Sequence, residues 1–263
     1  MILEFKSPLL IGLCITLILI ILTEAKRFIL FHPDKLYSAK IPDKVTELFI
    51  QGRKQNRICT WYYSAGEGTS IILFAHGNAG NISNRVHIIN ECMSRGISIC
   101  IFDYRGYGKS TGRTNIDTMH KDMEDVYKYL IYKLKHNPEQ IIIAGESIGS
   151  YPAAKLANKY QCRKLIILYG MHSLSLTTKK LYPLLYPFIG LFISKDLHVY
   201  KELETFNGNT LILHSKEDEI VDYSNALENS KIKSNGNIQL VTIKGGHNDA
   251  IIDWEIVNQF VKS

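Results

Sequence analysis

The residues of this chain best placed to do chemistry are a serine between two glycines, a histidine after two glycines, and a cluster of acids. The serine lies in Gly145-Glu146-Ser147-Ile148-Gly149. Alone, that pattern is weak, and an ordinary Gly-rich strand–helix loop would also fit it. It gains meaning from the apolar run Ile141-Ile142-Ile143-Ala144 before it and the helical pattern after it. Strand, sharp turn and helix in that order make a nucleophile elbow. The turn strains the serine backbone, lifts Oγ clear of the sheet and aims a helix N-terminus at it. A side chain at Gly145 or Gly149 would clash in so tight a turn.

A serine nucleophile needs a base. The chain has nine histidines, so a lone one means little. His247 stands out because Gly245-Gly246-His247-Asn248-Asp249 follows the last β-rich run. A histidine on such a loop can swing over the serine as general base. A carboxylate just past another strand end can hold its tautomer. The stretch Ser215-Lys216-Glu217-Asp218-Glu219-Ile220-Val221 offers three acids, and composition does not choose among them. The chain order of serine, acid and histidine is that of one hydrolase architecture.

Two further loops follow strands. His76-Gly77-Asn78-Ala79-Gly80-Asn81 can present backbone N–H groups to a developing oxyanion, and the N–H groups of Asn78 and Ile148 are the expected donors. His76 itself reads as a turn-fixing hydrogen-bonder. Asp103-Tyr104-Arg105-Gly106-Tyr107-Gly108-Lys109-Ser110 marks a tight turn. There Asp103 and Arg105 are expected to hold the loop. Its spacing fits neither phosphate-binding glycine motif.

These loops need a scaffold, and the sequence supplies one. β-rich runs are predicted at Val45–Ile50, Ile58–Tyr63, Ile71–Ala75, Ile97–Phe102, Gln140–Ala144, Lys164–Leu168, Thr210–His214 and Asn237–Ile243. The middle runs are nearly all Ile, Leu and Val, as in parallel strands buried on both faces. Helices are predicted at Ser83–Arg95, Asn115–His136, Ile148–Tyr160, Tyr223–Ser230 and Ala250–Val261. Such alternation predicts an α/β fold, a mainly parallel eight-stranded sheet with helices on both faces. Between Gly170 and Phe206 the chain leaves the sheet. Its Pro-broken apolar stretch, Leu181 to Ile193, is too short for a membrane span and fits a short cap. A core helix is the alternative reading there.

Composition is that of a globular protein: 263 residues, 46% hydrophobic, 21% charged. A net charge of +6 is compatible with an anionic membrane surface and too weak to argue for nucleic acid. The five cysteines, Cys14, Cys59, Cys92, Cys100 and Cys162, make no C-x-x-C pair. Buried free thiols are expected.

Ser7 to Thr23 carries no charge and is mostly Leu and Ile. About 17 residues is the shortest usual span, and Lys6, Lys26 and Arg27 flank it. Residues 1–27 therefore read as an uncleaved transmembrane anchor, 28–44 as a linker and 45–263 as the catalytic domain, with the cap at 170–206. A cleaved signal peptide and a core helix are the alternatives. Glu24 and the weak basic start count against cleavage. Lys26, Arg27, Lys35 and Lys40 after the span favour a cytosolic domain, although a signal anchor can insert the other way. The sequon at Asn81 overlaps a loop expected to be packed.

Together HGNAGN, DYRGYGKSTG, GESIG, the acid loop and GGHND resemble the α/β-hydrolase superfamily over residues 45–262. More narrowly they resemble its membrane-anchored abhydrolase-domain serine hydrolases with an N-terminal signal anchor, a neighbourhood that includes acyl-protein thioesterases. The resemblance implies Ser147 as nucleophile, His247 as base and Asp218 as orienting acid, with the oxyanion hole at Asn78 and Ile148. Asp218 is selected by the pattern G-x-x-D-x-x-V-P, which here reads Ser215-x-x-Asp218-x-x-Val221-Asp222. The N-terminal cysteine cluster of the depalmitoylating members is absent, and Tyr169-Gly170-Met171-His172-Ser173-Leu174 replaces their Glu-Asn-Thr-Phe-like stretch.

The expected function is a membrane-anchored serine hydrolase cleaving an acyl ester or thioester. Its expected partners are a lipid or acylated substrate and the membrane, with no nucleic acid, no metal and no organic cofactor. A non-catalytic binding protein and an acyltransferase are the rival readings. Haloalkane dehalogenases and epoxide hydrolases carry Asp where this chain has Ser147.

Overall fold

The computed structural model describes residues 30–187, 190 and 197–263, together with 12, 13, 16, 17, 24 and 27. The chain forms two units, Met1–His32 and Pro33–Ser263. In the first, residues 12, 13, 16, 17, 24, 27 and 30 are helical. Thr16 Oγ1 donates to the Gly12 carbonyl (2.9 Å), and Arg27 pairs with Glu24 at 2.8 Å. Apart from its four described positions, the apolar run 7–23 lies outside the described residues. Among the described residues no helix is long and apolar enough to cross a membrane.

The second unit is built on one sheet. Its strands are β1 (Thr46–Gln51), β2 (Arg57–Tyr63), β3 (Ile71–Ala75), β4 (Ser98–Phe102), β5 (Ile141–Glu146), β6 (Lys164–Leu168), β7 (Asn209–Ser215) and β8 (Ile238–Ile243). They lie in the order β8-β7-β6-β5-β3-β4-β2-β1. The pairs β1–β2 and β2–β4 are antiparallel and the others parallel. All eight fall within two residues of the sequence expectation.

Register aligns the strand ends. Ala75 lies level with Phe102 on one side and Gly145 on the other. Leu168 lies level with Glu146 and Leu213, and Ser215 with Ile243. The loops after β3, β4, β5, β7 and β8 therefore leave one edge of the sheet. In open parallel sheets that carboxyl edge is where ligands bind.

Both faces of the sheet are apolar and covered. Ile72, Phe74, Ile99, Ile101, Ile142, Ile166 and Leu211 form one core with helices α1 (Val86–Ser94) and α7 (Trp254–Lys262). The alternate residues Ile71, Leu73, Ile143, Leu165 and Ile167 point the other way and are equally buried. Helices α2 (Ile116–Tyr132) and α3 (Ser150–Tyr160) supply that cover with Met119, Met123, Val126, Ala153 and Leu156.

Between Gly170 and Phe206 lie α4 (Leu174–Leu181) and α5 (Val199–Glu204). Residues 188, 189 and 191–196 of the expected cap lie outside the described residues. Tyr182, Leu184 and Leu185 are exposed. Helix α6 (Ser224–Ser230) precedes β8.

Three helix bounds differ from the sequence reading. Helix α2 stops at Tyr132, not His136, because Lys135 turns left-handed at φ 62°. The Leu134 and His136 N–H groups then bond back to the Tyr129 and Leu130 carbonyls. A glycine usually marks such a stop, and here a lysine fills it. Ile82–Arg85 is a separate 3-10 turn capped by Asn81, with α1 starting only at Val86. Helix α7 begins at Trp254 rather than Ala250. Asp253 caps it through the Glu255 and Ile256 N–H groups, and Ile251 bridges back to Lys244. The four described cysteines are buried free thiols.

Candidate active site

Strand β5 ends at Glu146, Ser147–Gly149 make one 3-10 turn, and α3 starts at Ser150. This compact turn forces Ser147 to φ 51°, the left-handed region that a serine rarely adopts. The flanking glycines are needed for space. A Cβ on Gly149 would sit 2.3 Å from the Ala75 carbonyl oxygen, and one on Gly145 2.4 Å from that of Gly149. Ser150 Oγ donates to the Ser147 carbonyl at 2.6 Å and ties the turn to α3. Gly149→Ala is expected to destabilise the fold by about 3 kcal/mol, since the opposing atoms are backbone in a central strand. Urea titration measures this, and a loss below about 0.5 kcal/mol would refute the close approach.

Ser147 Oγ lies 3.0 Å from His247 Nε2, and His247 Nδ1 lies 2.7 Å from Asp218 Oδ2. A carboxylate only accepts, so Nδ1 carries the proton and Nε2 is left to accept from the serine hydroxyl. Ser147 and His247 are each 8% exposed, shielded from bulk water but not sealed. The Tyr169 ring stands edge-on to His247, with centroids 5.4 Å apart.

The three crowded acids have three different partners. Glu217 accepts from the Gly245 N–H (3.1 Å) and Glu219 from the His247 N–H (3.0 Å). Those two hold the backbone of the histidine loop, while Asp218 faces the imidazole. Asp218 Oδ1 accepts from the Val221 and Ile220 N–H groups at 2.7 and 3.0 Å. His214 Nε2 donates to the Val221 carbonyl at 2.6 Å and lies 3.4 Å from Asp218 Oδ2. Burial alone would raise the Asp218 carboxyl. Its hydrogen bonds from His214 and His247 hold it well below the usual carboxylate range.

The 76–81 loop leaves β3 directly beside the elbow. His76 is fully buried and its Nδ1–H donates to the Gly77 carbonyl at 2.7 Å. Burial, reinforced by the Arg85 charge, depresses its pKa to about 3, so it stays neutral. Tyr104 OH donates to the His76 carbonyl (2.9 Å), and Tyr107 OH to Asn78 Oδ1 (3.2 Å). Asn81 is fully buried. Its amide donates to the Asp34 and Leu36 carbonyls and its oxygen caps the 3-10 turn, so the folded sequon is inaccessible. Ile148 is buried within the elbow. Asp103 accepts from Tyr37 OH (2.7 Å) and the Ile82 N–H (2.9 Å), and Arg105 is paired with the buried Asp122. Both hold the 103–112 loop.

One pair has no precedent in the sequence reading. Arg85 grips Glu146 with two hydrogen bonds, Nε–Oε2 at 3.0 Å and Nη2–Oε1 at 2.7 Å. Burial would raise the Glu146 carboxyl, but Arg85 beside it holds it below the usual range. A sequence signal existed: a glutamate ending a buried strand needs a charged partner. Which of 31 Lys and Arg residues would serve was not readable.

An eight-stranded, mainly parallel sheet with a Ser–His–Asp arrangement at its carboxyl edge defines the class: an α/β-hydrolase fold. Comparison with known proteins agrees. The family model described as serine aminopeptidase, S33, matches residues 66–195. Mouse alpha/beta hydrolase domain-containing protein 17C is 28% identical over 74% of this chain and 59% of its own length. An uncharacterized protein of Acanthamoeba polyphaga mimivirus is 28% identical over 85% of this chain and 86% of its own. Among solved structures, the Pyrococcus furiosus esterase superposes with a TM-score of 0.75 over 89% of this chain and 97% of that one, at 17% identity. The chain has the fold of the α/β-hydrolases and is similar in sequence to abhydrolase-domain proteins. Hydrolase activity in general is what these relatives support.

Proposed function

We propose that this chain is a membrane-anchored serine hydrolase that cleaves an acyl ester or thioester. The observation that carries the reading is the relay of Ser147 Oγ, His247 and Asp218, at 3.0 and 2.7 Å. Ser147 Oγ attacks the acyl carbonyl carbon while His247 Nε2 takes its proton. Asp218 steadies the resulting imidazolium. The N–H groups of Asn78 and Ile148 hold the oxyanion. Collapse breaks the bond to the leaving alcohol or thiol, which receives the proton from His247. Water then attacks the acyl-enzyme, giving its proton to the same nitrogen, and the free acid departs as Ser147 is re-protonated.

Several observations support the substrate class. The name of the Pyrococcus furiosus protein is esterase. Tyr182, Leu184 and Leu185 lie exposed in the expected cap beside Lys179 and Lys180, suiting an acyl chain presented at an anionic surface. The apolar run 7–23 would hold the domain there as a single-pass anchor, with 28–44 as linker.

Labelling of the full chain in native membranes by a fluorophosphonate probe tests the reading. Labelling that survives a chelator and vanishes in Ser147→Ala supports it. A panel of acyl esters and thioesters of increasing chain length then ranks substrates. No labelling of folded wild-type protein would overturn it.

A further inference from the structure

We propose that Arg85 and Glu146 are positioning residues that clamp the 77–80 loop, and with it the Asn78 N–H, against the nucleophile elbow. The inference rests on the serine-hydrolase reading and extends it to two residues outside the triad.

Glu146 is the residue immediately before Ser147, so its carboxylate moves with the nucleophile. Arg85 closes the 3-10 turn that follows the loop. Besides gripping Glu146, it donates from Nη1 to the Ala79 carbonyl at 2.7 Å. One guanidinium therefore bonds both the elbow and the loop. The fit around it is close. A Cβ on Gly77 would sit 2.7 Å from Glu146 Oε1 and 3.2 Å from Arg85 Nη2, and one on Gly80 3.3 Å from Arg85 Nη1. Both side chains are 11% exposed, so solvent screens the pair little.

Geometry explains why arginine is used. A rigid, planar fork can satisfy a carboxylate with two donors and still reach a carbonyl with a third. Lysine could pair with Glu146 but has no second arm held in register with Ala79. An oxyanion donor helps only where the oxyanion forms, and a displacement of about 1 Å is enough to cost about 10²-fold in rate. The clamp fixes that placement before substrate arrives. Its contribution should fall on kcat, because the ground-state carbonyl needs the donor far less than the transition state does.

The test uses the full chain in membranes, with p-nitrophenyl butyrate turnover, fluorophosphonate labelling and thermal unfolding read together. Arg85→Lys should unfold near the wild-type temperature, lose about 10–100-fold in kcat and keep KM within about threefold. The double variant Arg85→Met with Glu146→Met removes both charges at once. Replacing a buried pair by apolar side chains of similar size need not destabilise a protein. Its Tm should therefore approach the wild-type value while kcat stays about 100-fold down, since Ala79 is still untethered. A pair that served only to neutralise a buried charge would give the opposite result. Wild-type kcat in Arg85→Lys or in the double variant would overturn the clamp. Should the double variant not fold, Arg85→Lys decides the matter alone. Wild-type protein that neither turns over the ester nor labels at Ser147 would remove the hydrolase reading and the clamp together. Wild-type labelling with unchanged variants would remove only the clamp.

Discussion

Ser147→Ala is expected to lower turnover of an activated acyl ester by about 10⁶-fold, the scale seen when a triad loses its nucleophile. The fold should survive. Alanine meets the same backbone strain as serine at φ 51°, and the hydroxyl lost has one bond to His247, at 3.0 Å. Forfeiting that bond costs about 1 kcal/mol. The residual rate would come from binding and the oxyanion donors alone. Fluorophosphonate labelling should disappear in parallel. Turnover within about tenfold of wild type would mean that another residue is the nucleophile, and the proposed chemistry would fall.

Asp218→Asn should lower kcat by about 10⁴-fold, although the two side chains have nearly the same shape. The reason is the donor inventory around the carboxylate. Oδ1 accepts two backbone N–H groups from Ile220 and Val221, which an asparagine oxygen can also do. Its NH₂ would then face both His247 and His214. His247 would have to turn its unprotonated Nδ1 towards the amide, moving the proton to Nε2. A protonated Nε2 cannot take the proton of Ser147. His214 cannot adapt the same way, because its Nε2–H is committed to the Val221 carbonyl at 2.6 Å. Steady-state kinetics measure the loss, and a fall of under tenfold would refute the role.

The same substitution gives a pH test of stability. The folded Asp218 carboxyl lies below its unfolded value of about 3.9. A depressed carboxyl stabilises the fold fully above the unfolded value and loses that contribution as pH falls towards the folded one. Wild type should therefore lose more stability than Asp218→Asn between pH 6 and pH 3, by urea midpoint. Equal losses would show that the hydrogen bonds to Asp218 do not favour its charged form.

Much of this was legible because it is local. Runs of Ile, Leu and Val fixed the strands to within two residues, since a buried parallel strand needs apolar residues on both faces. The glycines of 145–149 announced a tight turn, as no Cβ fits there. Helix ends were less legible where an uncommon residue made the stop. Lys135 takes a left-handed position that glycine usually holds, and α7, capped by Asp253, starts at Trp254, four residues after the apolar pattern begins.

Side-chain pairing across the fold was beyond the sequence. Glu217, Asp218 and Glu219 are neighbours of one charge type, and pattern matching singled out Asp218. Their separate partners, Gly245, the His247 ring and the His247 backbone, exist only once β7 and β8 lie side by side. Arg85 and Glu146 are 61 residues apart. They meet because β3 and β5 are adjacent in the sheet, which puts the loops after both strands on one edge. Residue type and spacing, then, determined the strands, the turns and the candidate nucleophile and base, because steric fit and hydrophobic period act over a few residues. Tertiary structure alone decided which carboxylate each donor meets and which arginine steadies the elbow, because those contacts depend on strand order and register.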